Sequence, residues 1–283
     1  ASDKDEQAIS FLRNHKSNHV YCSNSLLNVS RKKYNIPNDN FLVMVGNPPY
    51  NDTTSEFKNG EKGENLCDED LYDKDLGISF LKSYCKLKAD LVCVLHPLSY
   101  LIKETNFNRL KRFRANYKLV KACVFSSAWF SNTGSTKFPV MIGLYERNEW
   151  GMDYKHIENF SFSVLESEEK FCLSEFKTTD AYINKYPPRK NKKNQSQSGL
   201  YYYTFRDINS LRKNASFLDK AHYNAIVVEV DNFYKYAYLH AFKNLFRPEN
   251  FWLYGNLSPL IDIDFVEDNK SLFIEYALQT SPV

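Results

Sequence analysis

Phe41-Leu42-Val43-Met44-Val45-Gly46-Asn47-Pro48-Pro49-Tyr50 is the stretch on which the reading of this chain turns. Phe41 to Val45 is short, apolar and rich in branched side chains, which predicts a strand buried on both faces; Gly46 and two prolines then stop it. In open α/β sheets, ligands bind at the carboxyl edge of the strands. The strand therefore delivers a side-chain amide, a rigid Pro-Pro backbone and an aromatic ring to the edge where a ligand is expected.

Those three groups suit a planar amine. The lone pair of an exocyclic amine is delocalised into its ring, so the nitrogen is a poor nucleophile until something localises it. The Asn47 side-chain oxygen and the Pro48 carbonyl can accept the two amine hydrogens and turn the nitrogen toward sp³ geometry. Proline fixes φ and restricts the residue before it, which keeps that carbonyl aimed. Tyr50 offers a face on which an extruded base can stack.

Asn-Pro-Pro-Tyr after an apolar strand resembles the catalytic motif of S-adenosylmethionine-dependent amino-methyltransferases, above all the adenine-specific DNA methyltransferases. The resemblance extends to Leu91–Tyr100, an apolar run with a proline turn into the basic stretch Leu101–Arg114, and to Val120–Phe130 with Thr136–Arg147, which resemble the family's closing hairpin. It implies a catalytic Asn47, Pro48, Pro49 and Tyr50, with Phe130 against the target base beside Tyr50 and Phe125 as the weaker choice. It also implies a cofactor site using Asn47 and Asn24; Asn24 stands where the family usually has an Asp for the cofactor adenine, and it also reads as an ordinary turn residue. Asp3 and Asp5 fall near the family's ribose-binding acid, and neither is assigned that role.

The family's glycine-rich cofactor loop has no match. The nine glycines include no Gly-x-Gly, and Gly60 and Gly63 lie in an acidic polar loop. By register the loop belongs before residue 1, so the expectation is a partial, doubly wound Rossmann-like methyltransferase sheet in an α/β chain. Residues 1–150 would form the carboxyl-terminal portion of the catalytic domain. Residues 151–283 would form a mixed α+β segment for target recognition or DNA binding, with a flexible basic loop at 185–199. The partners implied are double-stranded DNA and a restriction or specificity subunit.

Composition sets broader bounds. Net charge is only +3, from 37 Lys plus Arg against 34 Asp plus Glu, so any grip on nucleic acid must be local. Two basic runs supply backbone-contact candidates: Arg109, Lys111, Arg112 and Arg114 in the first, and Arg189, Lys190, Lys192 and Lys193 in the second. The segment Asn51–Asp75, with Cys67-Asp68-Glu69-Asp70, reads as a mobile acidic loop beside the site. Six scattered cysteines without Cys-x-x-Cys spacing read as reduced core thiols of a cytoplasmic protein. No metal site is expected from the six histidines, and no apolar run reaches membrane-spanning length. The same motif serves amide nitrogens, so RNA and a protein glutamine remain alternative substrates, and a non-catalytic DNA-binding subunit that kept the fold is a third reading.

Overall fold

A computed structural model describes residues 1–14, 20–49, 67–130, 139–184, 198–203, 216–245 and 260–281. It divides into two compact units, one of Ala1–Phe125 with Val140–Lys170, the other of Ser126–Pro139 with Phe171–Val283.

The first unit opens with β1 (Ser2–Asp3), α1 (Glu6–Asn14) and β2 (Tyr21–Cys22), in which the two strands pair in parallel across the helix. Its main sheet begins with β3 (Val43–Gly46), followed by α2 (Leu76–Lys86) and β4 (Leu91–Pro97). Three short helices, α3 (Ser99–Ile102), α4 (Glu104–Arg109) and α5 (Lys111–Arg114), lead to β5 (Tyr117–Ser126) and β6 (Pro139–Arg147). Helix α6 (Tyr154–Glu158), β7 (Phe162–Val164) and β8 (Lys170–Phe171) complete it. The strand order is β3-β4-β6-β5-β7-β8, with β3 parallel to β4, β4 antiparallel to β6 and β7 parallel to β5. This is a mixed α/β sheet.

Three expectations change here. Among the described residues β3 is an edge strand and is not buried on both faces: Val43 is 48% and Val45 76% exposed, while Met44 packs inward with Leu71 and Leu87. The basic stretch is not one helix, because Lys103 is extended between α3 and α4; Phe107, Leu110 and Phe113, three apart, still reach the core. The sheet also runs past residue 150. Gly151, at φ +64°, lets the chain pass so close to Arg114 that a Cβ would lie 2.2 Å from its carbonyl oxygen. Met152 N–H then bonds that carbonyl at 2.7 Å, and β7 joins β5.

In the second unit, β9 (Leu200–Tyr203) lies between β10 (Phe217–Leu218) and β11 (Ala225–Val228), with both pairings antiparallel. Tyr202, Phe217, Tyr236, Leu239, Val266 and Ala277 form its core, with the helices Phe233–Leu245 and Lys270–Thr280 packed together. No helix among the described residues is long and apolar enough to cross a membrane.

Candidate functional site

The site is built where β3 stops. Gly46 pairs with Val94, and β4 continues beyond it through Leu95, His96 and Pro97, pairing there with Ile142, Met141 and Val140. Pro48 and Pro49 have no N–H and cannot extend the ladder, so the chain leaves the sheet at Asn47. Asn47 and Pro49 are exposed at this carboxyl edge and Pro48 is buried. Gly46 is needed for close approach: a Cβ there would lie 2.4 Å from the hydroxyl of buried Tyr84 on α2. The contact also shows that Gly46, and with it Met44, faces α2, while Val43 and Val45 face away.

A polar chain, unforeseen from the sequence, supports the same edge. Asp75 caps α2, accepting the Gly77 N–H at 2.9 Å and the Tyr100 hydroxyl in a short hydrogen bond. The Tyr100 ring stacks on His96 at 5.4 Å, and His96 Nε2 lies 2.6 Å from the Tyr145 hydroxyl. The Pro97 carbonyl, 2.9 Å from His96 Nδ1, can only accept, so Nδ1 carries the proton and Nε2 accepts from Tyr145. Burial pushes His96 down to about 4, against the opposing pull of the Pro97 carbonyl. Burial also raises Asp75, although the bonds from Tyr100 and the Gly77 N–H pull the other way. Histidine followed by proline and, four residues on, tyrosine was visible in the sequence; its pairing with Asp75 and Tyr145 was not.

Arg31 is a further residue the sequence did not reveal. Its guanidinium donates to the carbonyls of Pro37, Asn38 and Asn40 on one side and of Leu87 and Lys88 on the other, at 2.7–3.2 Å, and lies 3.8 Å from Asp90. Asp90 in turn accepts the Leu42 N–H at 2.7 Å. The entry into β3 is thereby clamped to the turn between α2 and β4.

The remaining candidates separate. Asn24 Oδ1 accepts the Leu26 N–H at 2.9 Å, and the Asn24 and Leu27 carbonyls hold Lys33, so Asn24 is built into a turn. No described strand ends in a glycine-rich turn, and the described residues do not by themselves fit S-adenosylmethionine. Phe125 is core at 4% exposure, which removes it as a base contact, whereas Phe130 is 52% exposed after the turn Ser127–Trp129. Phe130 belongs to the second unit and Asn47 to the first. Tyr50, Arg189, Lys190, Lys192 and Lys193 lie outside the described residues.

Among the first basic run, Arg112 pairs with Asp70 at 2.9 Å and Arg109 pairs with Asp73. Arg114 lies over the Phe107 ring at 5.2 Å. Lys111 is exposed. The described end of the acidic loop, 67–75, is anchored: Lys86 bridges Asp68 and Asp70 at 2.9 and 2.8 Å, and Lys82 meets Asp73 at 3.3 Å. The Lys86 hydrogen bond is the main cause holding the Asp70 carboxyl low; for Asp68, burial acts upward but is outweighed by Lys86 and the Val29 and Asn28 N–H groups. The six cysteines are all free thiols, and no cluster of metal-ligating residues occurs among the described residues.

Compared with known proteins, the sequence matches no family model and no curated protein.

Proposed function

We propose that this chain carries the target-amine site of an adenine-specific DNA amino-methyltransferase of a restriction-modification system. The observation that carries the reading is Asn47-Pro48-Pro49 leaving the carboxyl end of a parallel strand, with Asn47 and Pro49 exposed at that edge. Asn47 Oδ1 and the Pro48 carbonyl accept the two hydrogens of the amine, and Tyr50 stacks on the extruded base. S-adenosylmethionine supplies the methyl group and is held largely by residues outside those described. Catalysis is then mostly positioning. Double-stranded DNA and a restriction or specificity subunit are the partners of this reading.

The experiment is Asn47→Ala in the complete enzyme, with methyl incorporation and DNA binding measured side by side. Methyl transfer is expected to vanish while DNA affinity stays within about twofold, since the amide acts on the amine and adds little to ground-state binding. Comparable turnover in the variant removes the assignment. A second reading, a non-catalytic DNA-binding subunit, is favoured by the use of Asn24 in a turn. It predicts DNA binding with no methyl transfer in the complete wild-type protein.

A further inference from the structure

Trp150, in the turn between β6 and α6, is 92% exposed, more than any other large apolar side chain among the described residues. Tryptophan is highly buried on average, and it is enriched among the residues that carry binding energy where proteins meet. The backbone that presents it is pinned. Trp150 N–H donates to Asn148 Oδ1 at 2.8 Å, Gly151 N–H to the Asn148 carbonyl at 3.3 Å, and Asn148 N–H to the Asn116 carbonyl at 2.8 Å. On either side, Arg147 N–H reaches the Asp90 carbonyl at 2.9 Å and Met152 N–H the Arg114 carbonyl. A ring held out on a turn fixed in this way loses little freedom when a partner buries it.

Two exposed charges of opposite sign, Arg147 and Glu149, lie beside Trp150 in the same turn, and neither enters an ion pair among the described residues. We infer that this turn is the contact through which two copies of the chain pair about a two-fold axis. In such a contact residue i of one copy meets residue j of the other, and j meets i. Arg147 and Glu149 flank Asn148, so an axis passing there sets each copy's Arg147 opposite the other's Glu149 and brings the two indoles together. The mixed charge selects a second copy as the occupant. A nucleic-acid backbone is repelled by Glu149, and a partner surface of one sign matches one of the two charges and opposes the other. Two indoles and two ion pairs bury well under the roughly 1,200–2,000 Å² of a stable interface, so the dimer is weak, with Kd on the order of 10–100 μM.

The contact lies at the other end of the strands from Asn47. Asp90, which receives the Arg147 N–H, immediately precedes β4, whose Leu91 pairs with Val43 at the amino end of β3. Asn47 follows the carboxyl end of β3, roughly 15 Å further along the sheet. Pairing through the turn therefore leaves the Asn47 edge of each copy outside the contact. On the function proposed above, one dimer offers two target-amine sites. Only this consequence rests on that function; the pairing does not.

Sedimentation equilibrium of the full chain from about 5 to about 500 μM tests the pairing, since that range brackets the expected Kd. The weight-average mass should rise toward twice that of one chain. Trp150→Ser, Arg147→Glu and Glu149→Arg should each weaken the dimer at least about tenfold. The double reversal Arg147→Glu with Glu149→Arg should return it to within about threefold of the wild type, because each reversed charge again meets its opposite. Melting curves should barely change in any of these variants, since all three side chains are exposed. A monomer throughout the range, a dimer indifferent to Trp150→Ser, or a double reversal no better than either single one overturns the inference. A monomer whose fluorescence is quenched by duplex DNA, with the quenching lost in Trp150→Phe, would identify nucleic acid as the occupant and also overturn it. A dimer with this pattern in a protein that transfers no methyl group would keep the pairing and remove only the catalytic reading.

Discussion

Acidification from pH 7.5 to 5.0 is expected to weaken the fold through one buried ring. His96 has its pKa pushed down to about 4 by burial, against an ordinary value of about 6.5 in the unfolded chain. Between those values the unfolded chain takes up a proton that the folded one refuses, so stability rises with pH across the window. The contribution is complete above about 6.5 and is lost as the pH falls toward 4. From the two pKa values the loss is about 2 kcal/mol at pH 5 and about 3 kcal/mol once the pH is below 4. Asp68 and Asp70, held low, lose their contribution on further acidification. Asp75, held high, has the opposite sign: its contribution is present in acid and lost as the pH rises through its folded pKa. His240 in the second unit, also lowered by burial and then by Lys243, adds in the same sense as His96. Comparison with His96→Gln isolates the ring, because glutamine can still accept from the Tyr145 hydroxyl and does not titrate. Urea unfolding at both pH values should show the wild type losing about 2 kcal/mol more than the variant between them. Equal losses would refute the argument and place the imidazole in contact with water.

Two substitutions probe the supports of the motif. Gly46→Ala forces a methyl group against the Tyr84 hydroxyl and should cost about 1–3 kcal/mol, as overpacking does. Adding Tyr84→Phe leaves the next ring atom at 3.4 Å, an ordinary contact, so a thermal-melt double-mutant cycle should recover most of the loss; no recovery would remove the close approach as its cause. Arg31→Ala removes five charge-assisted bonds to carbonyls, some of which rehydrate, and should cost about 2–4 kcal/mol by denaturant unfolding. Arg31→Lys should recover less than half, since an ammonium cannot reproduce the fork; full recovery would reduce the clamp to a point charge.

The parts of this architecture legible in the sequence are those set by local pattern. The apolar run Leu91–Leu95 and the stop after Gly46 place β4 and the end of β3, because strand burial and proline chemistry act within a few residues. The exposure of Val45 was not legible, since whether the second face of a strand is covered depends on other segments. Asp75 and Tyr100 are 25 residues apart, and the partners of Arg31 are backbone carbonyls, which leave no mark in residue identity. Arg109 and Arg112 read as phosphate contacts because their acidic partners, Asp73 and Asp70, lie 36 and 42 residues away. Asn47 was readable as the residue at which the chain leaves β3; Asn24 was readable only as a choice between ligand and turn, and its Leu26 bond places it in the turn.

The Arg31 clamp also bears on the order in which the molecule assembles. Its carbonyl partners include Asn40, nine residues away, and Lys88, 57 residues away, so it closes only after α2 and the turn into β4 have already formed beside the entry to β3. Contacts that span so much chain carry a closure cost that is met late. Removing the guanidinium should therefore leave refolding rates nearly unchanged and speed unfolding, because such contacts are largely absent from the transition state. The side chain would then act as a latch on the native state, setting how long β3 and the Asn47 edge stay in place more than how fast they form.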